Sequence, residues 1–329
     1  MPKVLVTGGA GYIGSITAHL LARRGYGVVV VDDLSRGHQH NIGSLPFKKL
    51  NIADTPALVD LLSVEHVDAV VHFAAYLSVG ESVANPELYF SNNVGGTLSL
   101  LNAMAKAQVK HLVFSSSAAV YGTQELPSIP EDAPFAPVSP YGETKLMVEN
   151  VLRSLDRYSG LRSIALRYFN ACGSDPESGL GEEHQPETHL IPLLLKAVVT
   201  GNPITIFGDD YDTPDGTCIR DYIHVADLAE AHLSALEKLL GGGASDAFNV
   251  GTGVGHSVLQ VLRAVEEVTG RTVPYEMGPR RAGDPAVLVA NSDKLQRVLG
   301  WKPRFADLVD IIETAWQFEK NKGKREYPK

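Results

Sequence analysis

The chain has 329 residues, 44% apolar and 20% charged, so it has the composition of a globular protein and is too long for one hydrophobic core. Asp and Glu total 38 against 29 for Lys and Arg, and the net charge of -9 argues against a nucleic-acid-binding surface or an anionic-membrane patch. The two cysteines, Cys172 and Cys218, are too few for a disulfide framework or a thiolate metal site, so we expect a reducing, cytoplasmic location.

Short runs rich in β-branched residues recur along the first half of the chain. They lie at residues 4–7, 28–31, 69–72, 112–115 and 163–166, mostly separated by segments of helix length. Each run is continuously apolar, as expected for strands that helices cover on both faces. This pattern predicts an α/β fold with a Rossmann-type doubly wound parallel sheet. Gly25 should end one helix, and Thr55 and Pro56 should be the N-cap and first residue of another.

The sequence changes character after residue 171. A loop-rich stretch at residues 172–189 carries Gly, Pro and Glu, and the later elements are less regular. Strands are predicted at residues 204–207 and 248–250, and helices at 225–240, 257–269 and 305–318, with a glycine break at 241–243. We therefore predict a first lobe over residues 1–171 and a smaller mixed α/β lobe over 172–329, from which some later segments return to the first lobe.

Neither the N-terminus nor the interior carries a membrane-targeting pattern. The first residues lack the charged, apolar and small-residue regions of a secretory signal. No apolar stretch reaches the roughly 18 residues of a membrane span. We expect no membrane partner.

Three glycines follow the first predicted strand. Gly8 and Gly11 permit a tight turn and close approach of a pyrophosphate, and Gly14 lets the next helix pack on the strand. The start of that helix offers free N–H groups to the phosphates. A tight turn alone would explain the glycines, but the second strand ends in Asp32, a suitable acceptor for an adenosine ribose. This favours NAD over NADP, although the nearby Arg36 leaves NADP open.

A serine, a tyrosine and a lysine form a candidate catalytic group. Ser117 follows the strand at residues 112–115, and Tyr141 and Lys145 are four apart on one face of a predicted helix. Lowering a phenol pKa from about 10 to about 7 requires roughly 4 kcal/mol of phenolate stabilisation, which Lys145 and a positive nicotinamide ring could supply. Ser117 could relay the proton of a substrate hydroxyl. An isolated tyrosine–lysine pair of this spacing is usually a surface pair, but beside the glycine motif it predicts an alcohol-oxidising site.

Further motifs make the chain similar to the extended short-chain dehydrogenase/reductase superfamily, and within it to the UDP-glucose 4-epimerase (UDP-galactose 4-epimerase) family. The resemblance covers roughly residues 3–318. Its specific stretches are TGGAGYIG at 7–14, HFAA at 72–75, VGES at 79–82, NNV at 92–94, SSSA at 115–118, SPYGETK at 139–145, LRYFN at 166–170, FGDDY at 207–211, DGTCIRDYIHV at 215–225 and RRAGD at 280–284.

The resemblance implies a role for each matching residue. Tyr141 would be the base, Lys145 its partner and Ser117 a contact of the substrate hydroxyl. The residues that would hold NAD are Gly8, Gly11, Tyr12, Ile13, Gly14, Asp32, Asn51, Ile52, Phe73, Ala74, Ala75, Asn92, Ser115, Tyr141, Lys145 and Phe169. Asn51 departs from the family, which often has an aspartate there, and its amide would serve the adenine instead. The residues that would hold the UDP-sugar are Ser117, Tyr141, Asn170, His189, Leu190, Thr205, Phe207, Arg220, Arg281 and Asp284.

The resemblance also implies the reaction and the assembly. UDP-glucose and UDP-galactose would interconvert through a 4-keto sugar while NAD stays bound. A homodimer would form through the helices after Asn92 and after Tyr141, although ordinary core packing would equally explain their apolar faces. Those faces comprise Val94, Leu98, Leu101 and Met104 on one helix and Leu146, Val148, Val151, Leu152 and Leu155 on the other.

Several alternatives stay open at this stage. Leu288 stands at the position where the size of the side chain gates N-acetylated sugars in this family, and leucine is intermediate, so a 4-epimerase of UDP-N-acetylhexosamine, UDP-pentose or UDP-uronate remains possible. Ala118 and Ala119 disfavour dehydratases and decarboxylases, which need acidic groups there. A non-catalytic NAD-binding regulator would be expected to lose Tyr141 or Lys145.

The loop that precedes residue 190 contains Glu183, His184, Glu187 and His189. Their spacing is not the i, i+4 histidine pair of a helical zinc site, so we predict no metal here. His72 and His224 follow apolar strand segments and are expected to be structural.

Overall fold

The computed structural model describes residues 1–281 and 284–322. Ala282 and Gly283 of the RRAGD motif, and residues 323–329 of the predicted second lobe, lie outside this range. The strands are β1 (Lys3–Thr7), β2 (Gly27–Asp32), β3 (Phe47–Lys49), β4 (Ala69–His72), β5 (His111–Ser115), β6 (Arg162–Tyr168), β7 (Asn170–Cys172), β8 (Ile204–Phe207), β9 (Ile219–His224), β10 (Asp246–Val250), β11 (Gly255–Ser257), β12 (Tyr275–Gly278) and β13 (Val287–Leu288).

Helices separate most of these strands. They are α1 (Tyr12–Arg23), α2 (Thr55–Val64), α3 (Val79–Ala84), α4 (Pro86–Tyr89), α5 (Gly96–Lys106), α6 (Pro140–Ser159), α7 (Leu190–Thr200), α8 (Val225–Leu240), α9 (Val258–Thr269), α10 (Asp293–Leu299) and α11 (Leu308–Lys322). A π-helical turn, Phe90–Gly95, joins α4 to α5. In the part of the chain that the structure describes, no helix is both long and apolar enough to cross a membrane.

The main sheet confirms the predicted α/β class. Within the described residues it has seven parallel strands in the order β3-β2-β1-β4-β5-β6-β10. The order reverses between β1 and β4, and open α/β sheets bind ligands outside the carboxyl ends of the strands at such a reversal. This rule predicts a ligand site where the glycine turn follows β1.

Helices pack on both faces of this sheet, which explains the continuously apolar strands. Val4 and Val6 of β1 face a core that includes side chains of α1 and α8. Leu5, between them, faces the opposite core, which includes side chains of α2, α5 and α6. Each fully buried side chain of this size contributes about 1.5–3 kcal/mol to folding, so both faces stabilise the sheet.

The predicted helix boundaries are partly right. Gly25 follows α1 with φ of +86°, and the prediction of a helix end there is confirmed. Thr55 is not an N-cap but the first residue of α2, because the carboxylate of Asp54 accepts the N–H of Ala57 at 3.1 Å and caps the helix one residue earlier. The last helix begins at Leu308 rather than at Phe305, because the N–H of Phe305 donates to Asp227.

The later part of the chain contributes to two regions. Helix α8 packs on the main sheet, and β10 joins its edge beside β6. Strands β8 and β12 pair with each other, β9 pairs with β7, β11 and β13, and α7, α9 and α11 share a separate core. The boundary at residue 171 between two lobes stays a prediction.

Candidate active site

The turn after β1 leaves no room for a side chain at Gly8 or Gly14. Gly8 has φ of +68°, and a Cβ there would lie 2.5 Å from the backbone nitrogen of Ala74. A Cβ at Gly14 would lie 2.3 Å from the carbonyl oxygen of Gly8. Helix α1 begins after Gly11 without a side-chain cap and without an acidic residue in its first turn. Its free N–H groups and positive dipole end are therefore available to an anion such as a pyrophosphate.

Tyr12 and Ile13 begin α1, and their side chains point into the protein. The hydroxyl of Tyr12 donates to the carbonyl oxygen of Gly173 at 2.6 Å and ties α1 to the loop after β7. Ile13 packs against the core under the sheet. Their contribution to a nucleotide site therefore comes from backbone N–H groups at the helix start.

Asp32 lies at the end of β2 and is held by the glycine turn. Its carboxylate accepts the N–H of Ala10 at 3.0 Å and that of Leu34 at 2.8 Å. Burial raises the pKa of Asp32, and these hydrogen bonds oppose the rise. Arg36, which left NADP open, pairs with Glu81 at 2.6 Å. The carboxylate of Asp32 thus remains the charged group directly beside the turn.

Asn51 and Ile52 follow β3. The amide of Asn51 donates to the carboxylate of Asp33 at 2.7 Å, and its oxygen accepts the N–H of Ala53 at 2.8 Å. Ile52 is buried and contacts the start of α5, where a Cβ on Gly96 would lie 2.9 Å from it. These contacts give the loop after β3 a defined shape.

The segment after β4 lies directly beside the glycine turn. The N–H of Phe73 donates to the carbonyl oxygen of Thr7 at 2.9 Å, so Phe73, Ala74 and Ala75 run beside the glycine turn. Asn92 lies in the π-helical turn, and its amide donates to Asn93 at 2.9 Å. π-Helical turns inside helices are frequent at functional sites.

Asn93 is a positioning residue that sequence reasoning missed. It is buried, accepts the N–H of Tyr76 at 2.8 Å, donates to the carbonyl oxygen of Tyr76 at 3.0 Å and donates to the hydroxyl of Thr144 at 3.2 Å. It therefore joins the segment after β4 to the helix of Tyr141. The asparagine pair at residues 92–93 was the available signal, but only one member was assigned.

The structure brings the serine, tyrosine and lysine to the carboxyl end of β5. Ser117 follows the strand, and its Oγ accepts the N–H of Ala119 at 3.1 Å. Tyr141 and Lys145 lie in the first two turns of α6 and are 8% and 4% exposed. The Nζ of Lys145 lies 5.8 Å from the centroid of the Tyr141 ring and donates to the carbonyl oxygen of Ser115 at 2.7 Å.

The local sequence explains how α6 presents this pair. The hydroxyl of Ser139 accepts the N–H of Gly142 at 3.2 Å, and Pro140 occupies the first turn, so the helix begins one residue before Tyr141. A Cβ on Gly142 would lie 2.6 Å from the carbonyl oxygen of Ala119, so this glycine lets α6 approach the loop of Ser117. Sequence reasoning did not assign Gly142 a role.

Burial has the largest effect on the pKa values of Lys145, Tyr141 and the nearby His72. It lowers the pKa of Lys145 to about 7, against the opposing effect of Glu149. It raises the pKa of Tyr141 above its ordinary 10, and a hydrogen bond with Ser117 opposes that rise. Burial, followed by the charge of Lys145, lowers the pKa of His72 to about 3 and keeps this histidine neutral between the hydroxyls of Thr7 and Thr97. A phenolate at neutral pH therefore needs a positive charge additional to Lys145.

A buried ion pair lies near the carboxyl end of β5, and sequence reasoning missed it as well. The carboxylate of Glu149 accepts Nη2 of Arg167 at 2.6 Å, Nε of Arg167 at 2.9 Å and the hydroxyl of Ser116 at 2.5 Å. Arg167 donates further to the hydroxyl of Tyr121 at 2.8 Å. The signal was the position of Glu149 four residues after Lys145 on the same helix.

The end of β5 is connected to the later part of the chain by three residues, Phe169, Asn170 and Leu288. Phe169 is buried with Ala118, and the half-buried Leu288 packs against the same cluster. The amide of Asn170 donates to the carbonyl oxygen of Asp221 in β9 at 3.0 Å. Leu288 is opposite Arg220 in the β13–β9 pairing, so the residue predicted to gate the sugar links the cluster of Ala118 and Phe169 to an arginine.

Arg220 and Arg281, the two arginines predicted to hold the phosphates, both lie near Cys218. Arg220 pairs with Asp284 at 3.5 Å, and the guanidinium of Arg281 lies 4.1 Å from the centroid of the Phe207 ring. Burial raises the pKa of the Cys218 thiol, and both arginines oppose the rise, which places them around this residue. Thr205 is exposed on β8.

His189 and Leu190 lie at the start of α7. His189 is the N-cap residue, and its Nδ1 contacts the carboxylate of Glu182. Burial lowers the pKa of His189, but the charge of Glu182, the hydrogen bond to it and the charge of Glu187 together outweigh burial and raise the pKa to about 9. Leu190 is half-buried against the core of α7, α9 and α11. The imidazole of His189 is thus engaged within its own loop.

The protein combines a parallel sheet whose strand order reverses, a turn with three glycines, and a half-buried Ser117 beside the buried Tyr141 and Lys145. Together these features define a dinucleotide-binding Rossmann enzyme. The chain belongs to the NAD dependent epimerase/dehydratase family, whose sequence pattern matches residues 4–251. The similarity seen in the motifs is confirmed at the level of the whole chain.

Relatives match over nearly the full length. The UDP-glucose 4-epimerase of Lactobacillus helveticus is 49% identical over 98% of both chains. The crystal structure of UDP-glucose 4-epimerase from Brucella ovis in complex with NAD has a TM-score of 0.94 and 47% identity, over 96% of this chain and 98% of that one. The UDP-Glc/GlcNAc 4-epimerase from Campylobacter jejuni has a TM-score of 0.85 and 39% identity, over 98% of this chain and all of the other.

Proposed function

We propose that this chain is an NAD-dependent UDP-hexose 4-epimerase that interconverts UDP-glucose and UDP-galactose. The observation that carries the proposal is the meeting of Ser117, Tyr141 and Lys145 at the carboxyl end of β5, in a chain almost half identical to UDP-glucose 4-epimerases over its length. An alcohol-oxidising group beside a nucleotide turn suits the removal and return of hydrogen at one sugar carbon.

The residues present fit NAD. The uncapped start of α1 and the side-chain-free turn at Gly8, Gly11 and Gly14 suit the pyrophosphate. Asp32 suits the adenosine ribose and would repel a 2′-phosphate, and Arg36, the residue that left NADP open, is paired with Glu81. The other proposed contacts are Tyr12, Ile13, Asn51, Ile52, Phe73, Ala74, Ala75, Asn92, Ser115 and Phe169.

Each catalytic side chain has a distinct task. Tyr141 takes the proton of the sugar 4-hydroxyl, Ser117 hydrogen-bonds that hydroxyl and relays the proton, and Lys145 stabilises the phenolate. NAD, when bound, supplies the positive charge that further lowers the phenol pKa and accepts and returns hydride at C4. The 4-keto sugar that would result turns over in the pocket and presents the opposite face of C4 for the return of hydride, while Tyr141 gives its proton back to O4.

The nucleotide end of the substrate must stay anchored while the sugar turns. An acidic protein needs local positive charge to hold a diphosphate, and Arg220 and Arg281 provide it with bidentate donors. Their pairing with Asp284 and stacking on Phe207 orient both guanidinium groups. The remaining proposed contacts of the nucleotide are Asn170, His189, Leu190 and Thr205.

Proton NMR of the anomeric signals tests this function and the sugar range together. UDP-galactose and UDP-N-acetylgalactosamine are incubated separately with the protein, each with and without added NAD. We expect conversion of UDP-galactose to UDP-glucose. Conversion of both would show that Leu288 leaves the pocket open to N-acetylated sugars, as the name of the Campylobacter jejuni relative indicates for that enzyme. If neither sugar converts with NAD present, the hexose epimerase proposal is wrong.

We also propose that the protein is a homodimer that uses the outer surface of α5 and α6. Four of the apolar residues first assigned to this interface, Leu101, Met104, Val148 and Leu152, are buried in the core of the chain itself. Leu98 on α5 is 41% exposed and Met147 on α6 is 43% exposed. These two exposed side chains support an apolar contact between subunits. That contact involves fewer residues than the apolar faces of the two helices suggested.

Sedimentation velocity checks the dimer. Replacing Leu98 and Met147 together by glutamate is expected to convert the dimer to a monomer, because two buried carboxylates would lack partners in the interface. Val199→Glu, on α7 and 54% exposed in the wild-type protein, is the matched control and should stay dimeric. A wild-type protein that sediments as a monomer at micromolar concentration would contradict the proposal.

The unpaired thiols of Cys172 and Cys218 fit a reducing compartment, and we propose the cytoplasm as the site of action. The division into a nucleotide-binding lobe over residues 1–171 and a substrate-binding lobe over 172–329 is likewise a proposal. The separate core of α7, α9 and α11 supports it.

A further inference from the structure

The loop before α7 brings four side chains together. Only one of them, His189, has a role in the proposed reaction, as a contact of the nucleotide. The four are Glu182, His184, Glu187 and His189, here called the Glu–His cluster. Each offers one donor atom, and these four atoms all lie within 4.8 Å of one another. Among residues 1–281 and 284–322 it is the one group of three or more such side chains with this convergence.

The distances within the Glu–His cluster resemble the edges of a metal coordination polyhedron. Oε1 of Glu182 lies 2.9 Å from Nδ1 of His184 and contacts Nδ1 of His189. Oε1 of Glu187 lies 3.9 Å and 3.7 Å from the same two nitrogens. Ligand bonds of about 2.0–2.1 Å in tetrahedral geometry put donor atoms roughly 3.3 Å apart, which lies within the observed spread.

Surrounding contacts hold the donors in place. Oε1 of Glu187 accepts the N–H groups of Thr188 and His189 at 2.8 and 2.9 Å, which fixes its carboxylate toward the cluster. The ring of His184 packs edge-on against Tyr12 at 6.3 Å between centroids, and Glu182 is 7% exposed. Metal sites require this kind of outer support for their ligands.

Glu183 lies in the same loop but does not belong to the Glu–His cluster. Its carboxylate points away from the cluster and lies 2.6 Å from Nε2 of His40, and its carbonyl oxygen lies 2.7 Å from Nε2 of His38. The sequence placed Glu183 with the two histidines and overlooked Glu182. In the structure Glu182 joins the two histidines and Glu183 does not, because neighbouring residues in an extended loop point to opposite sides.

We propose that the Glu–His cluster binds one zinc ion per chain with two imidazole nitrogens and two carboxylate oxygens. Imidazole donors favour zinc and its first-row neighbours over magnesium and calcium, which prefer oxygen ligands alone. Two carboxylates balance the charge of a divalent ion when both imidazoles are neutral. The four donors come from one short loop, so the ion would close that loop.

The position of the cluster indicates a structural role. His189 is the N-cap of α7, and Tyr12, which His184 contacts, is the first residue of α1 after the glycine turn. A bound ion would therefore hold the start of the α7 helix against the nucleotide-binding helix. Because it binds the folded chain, it would raise the melting temperature without touching reacting atoms.

Metal analysis of untagged protein tests the proposal. The protein is expressed with zinc in the medium, desalted and measured by plasma mass spectrometry, and metal-free protein is titrated with zinc chloride by calorimetry. We expect about one zinc per chain in wild-type protein and a higher melting temperature with zinc. The double variant His184→Ala, His189→Ala should lose both effects.

Glu183→Gln is the matched control, because it alters the same loop but leaves the four donors unchanged; it should retain one zinc. If the double variant does not fold by circular dichroism, the single variant His184→Ala decides, since it removes one donor from a partly exposed position. Wild-type protein that binds no zinc, or folded variants that bind as much as wild type, would overturn the proposal. These measurements do not depend on epimerase activity.

Discussion

Replacing Tyr141 by phenylalanine is expected to lower the turnover of UDP-galactose about 10³-fold, within the range that general acid–base groups contribute. The phenol oxygen is the proposed proton acceptor, and phenylalanine leaves no side-chain oxygen in its place to receive the proton that Ser117 relays. The ring is 8% exposed and its packing is kept by phenylalanine, so the fold and NAD binding should survive. Initial rates by NMR and NAD affinity by calorimetry measure the two effects separately.

Tyr158→Phe is the control for this experiment. Tyr158 lies on the same helix, α6, but is 79% exposed and distant along the helix from the strand end. Its replacement should leave turnover unchanged. Near-normal turnover in Tyr141→Phe would remove Tyr141 as the essential base, whereas equal loss in both variants would point to damage of α6 rather than to chemistry.

Replacing Glu149 by glutamine is expected to lower the free energy of unfolding by about 3–5 kcal/mol, the usual cost of breaking a buried ion pair from one side. The side chains of Glu149 and Arg167 are 3% and 4% exposed, so the guanidinium would be left buried without a counter-charge. The hydroxyl of Ser116, next to Ser117, would lose a charged acceptor as well. Urea denaturation followed by circular dichroism measures the change.

Arg24→Gln provides the comparison. Arg24 pairs with Glu230 at 2.5 Å, but its side chain is 51% exposed, and exposed pairs contribute about 0–1 kcal/mol. A loss from Glu149→Gln as small as that from Arg24→Gln would show that the ion pair under β5 is not a main source of stability. Glu149 also opposes the lowering of the Lys145 pKa, so the same variant should lower that pKa further.

The meeting of Ser117, Tyr141 and Lys145 was predictable because its signals are local. The serine follows a recognisable strand, and the tyrosine and lysine lie one helical turn apart, so periodicity alone places them on one face. Asn93 and Glu149 could not be assigned in this way. Each acts through a partner in a distant segment, Asn93 through Tyr76 and Thr144, and Glu149 through Arg167. Such pairings depend on how the elements pack.

The helix boundaries show the same limit on a smaller scale. Both Asp54 and Thr55 are suitable caps, and only the backbone geometry selects Asp54. The start of α11 moves to Leu308 because Asp227, 78 residues before Phe305, accepts the N–H of Phe305. Local propensity indicates that a helix forms, whereas contacts from elsewhere decide where it begins.

The sequence by itself determined the α/β class, the glycine turn after β1, the acidic end of β2 and the tyrosine–lysine face of α6. These follow from apolar periodicity, from residues without a Cβ and from fixed spacing along one element. Only the tertiary structure decided that β10 lies beside β6, that Arg167 neutralises Glu149, and that Glu182 rather than Glu183 joins His184 and His189. The physical reason is that buried charges and strand edges are paired across the fold, and the free energy of those pairings depends on distances that spacing along the chain does not encode.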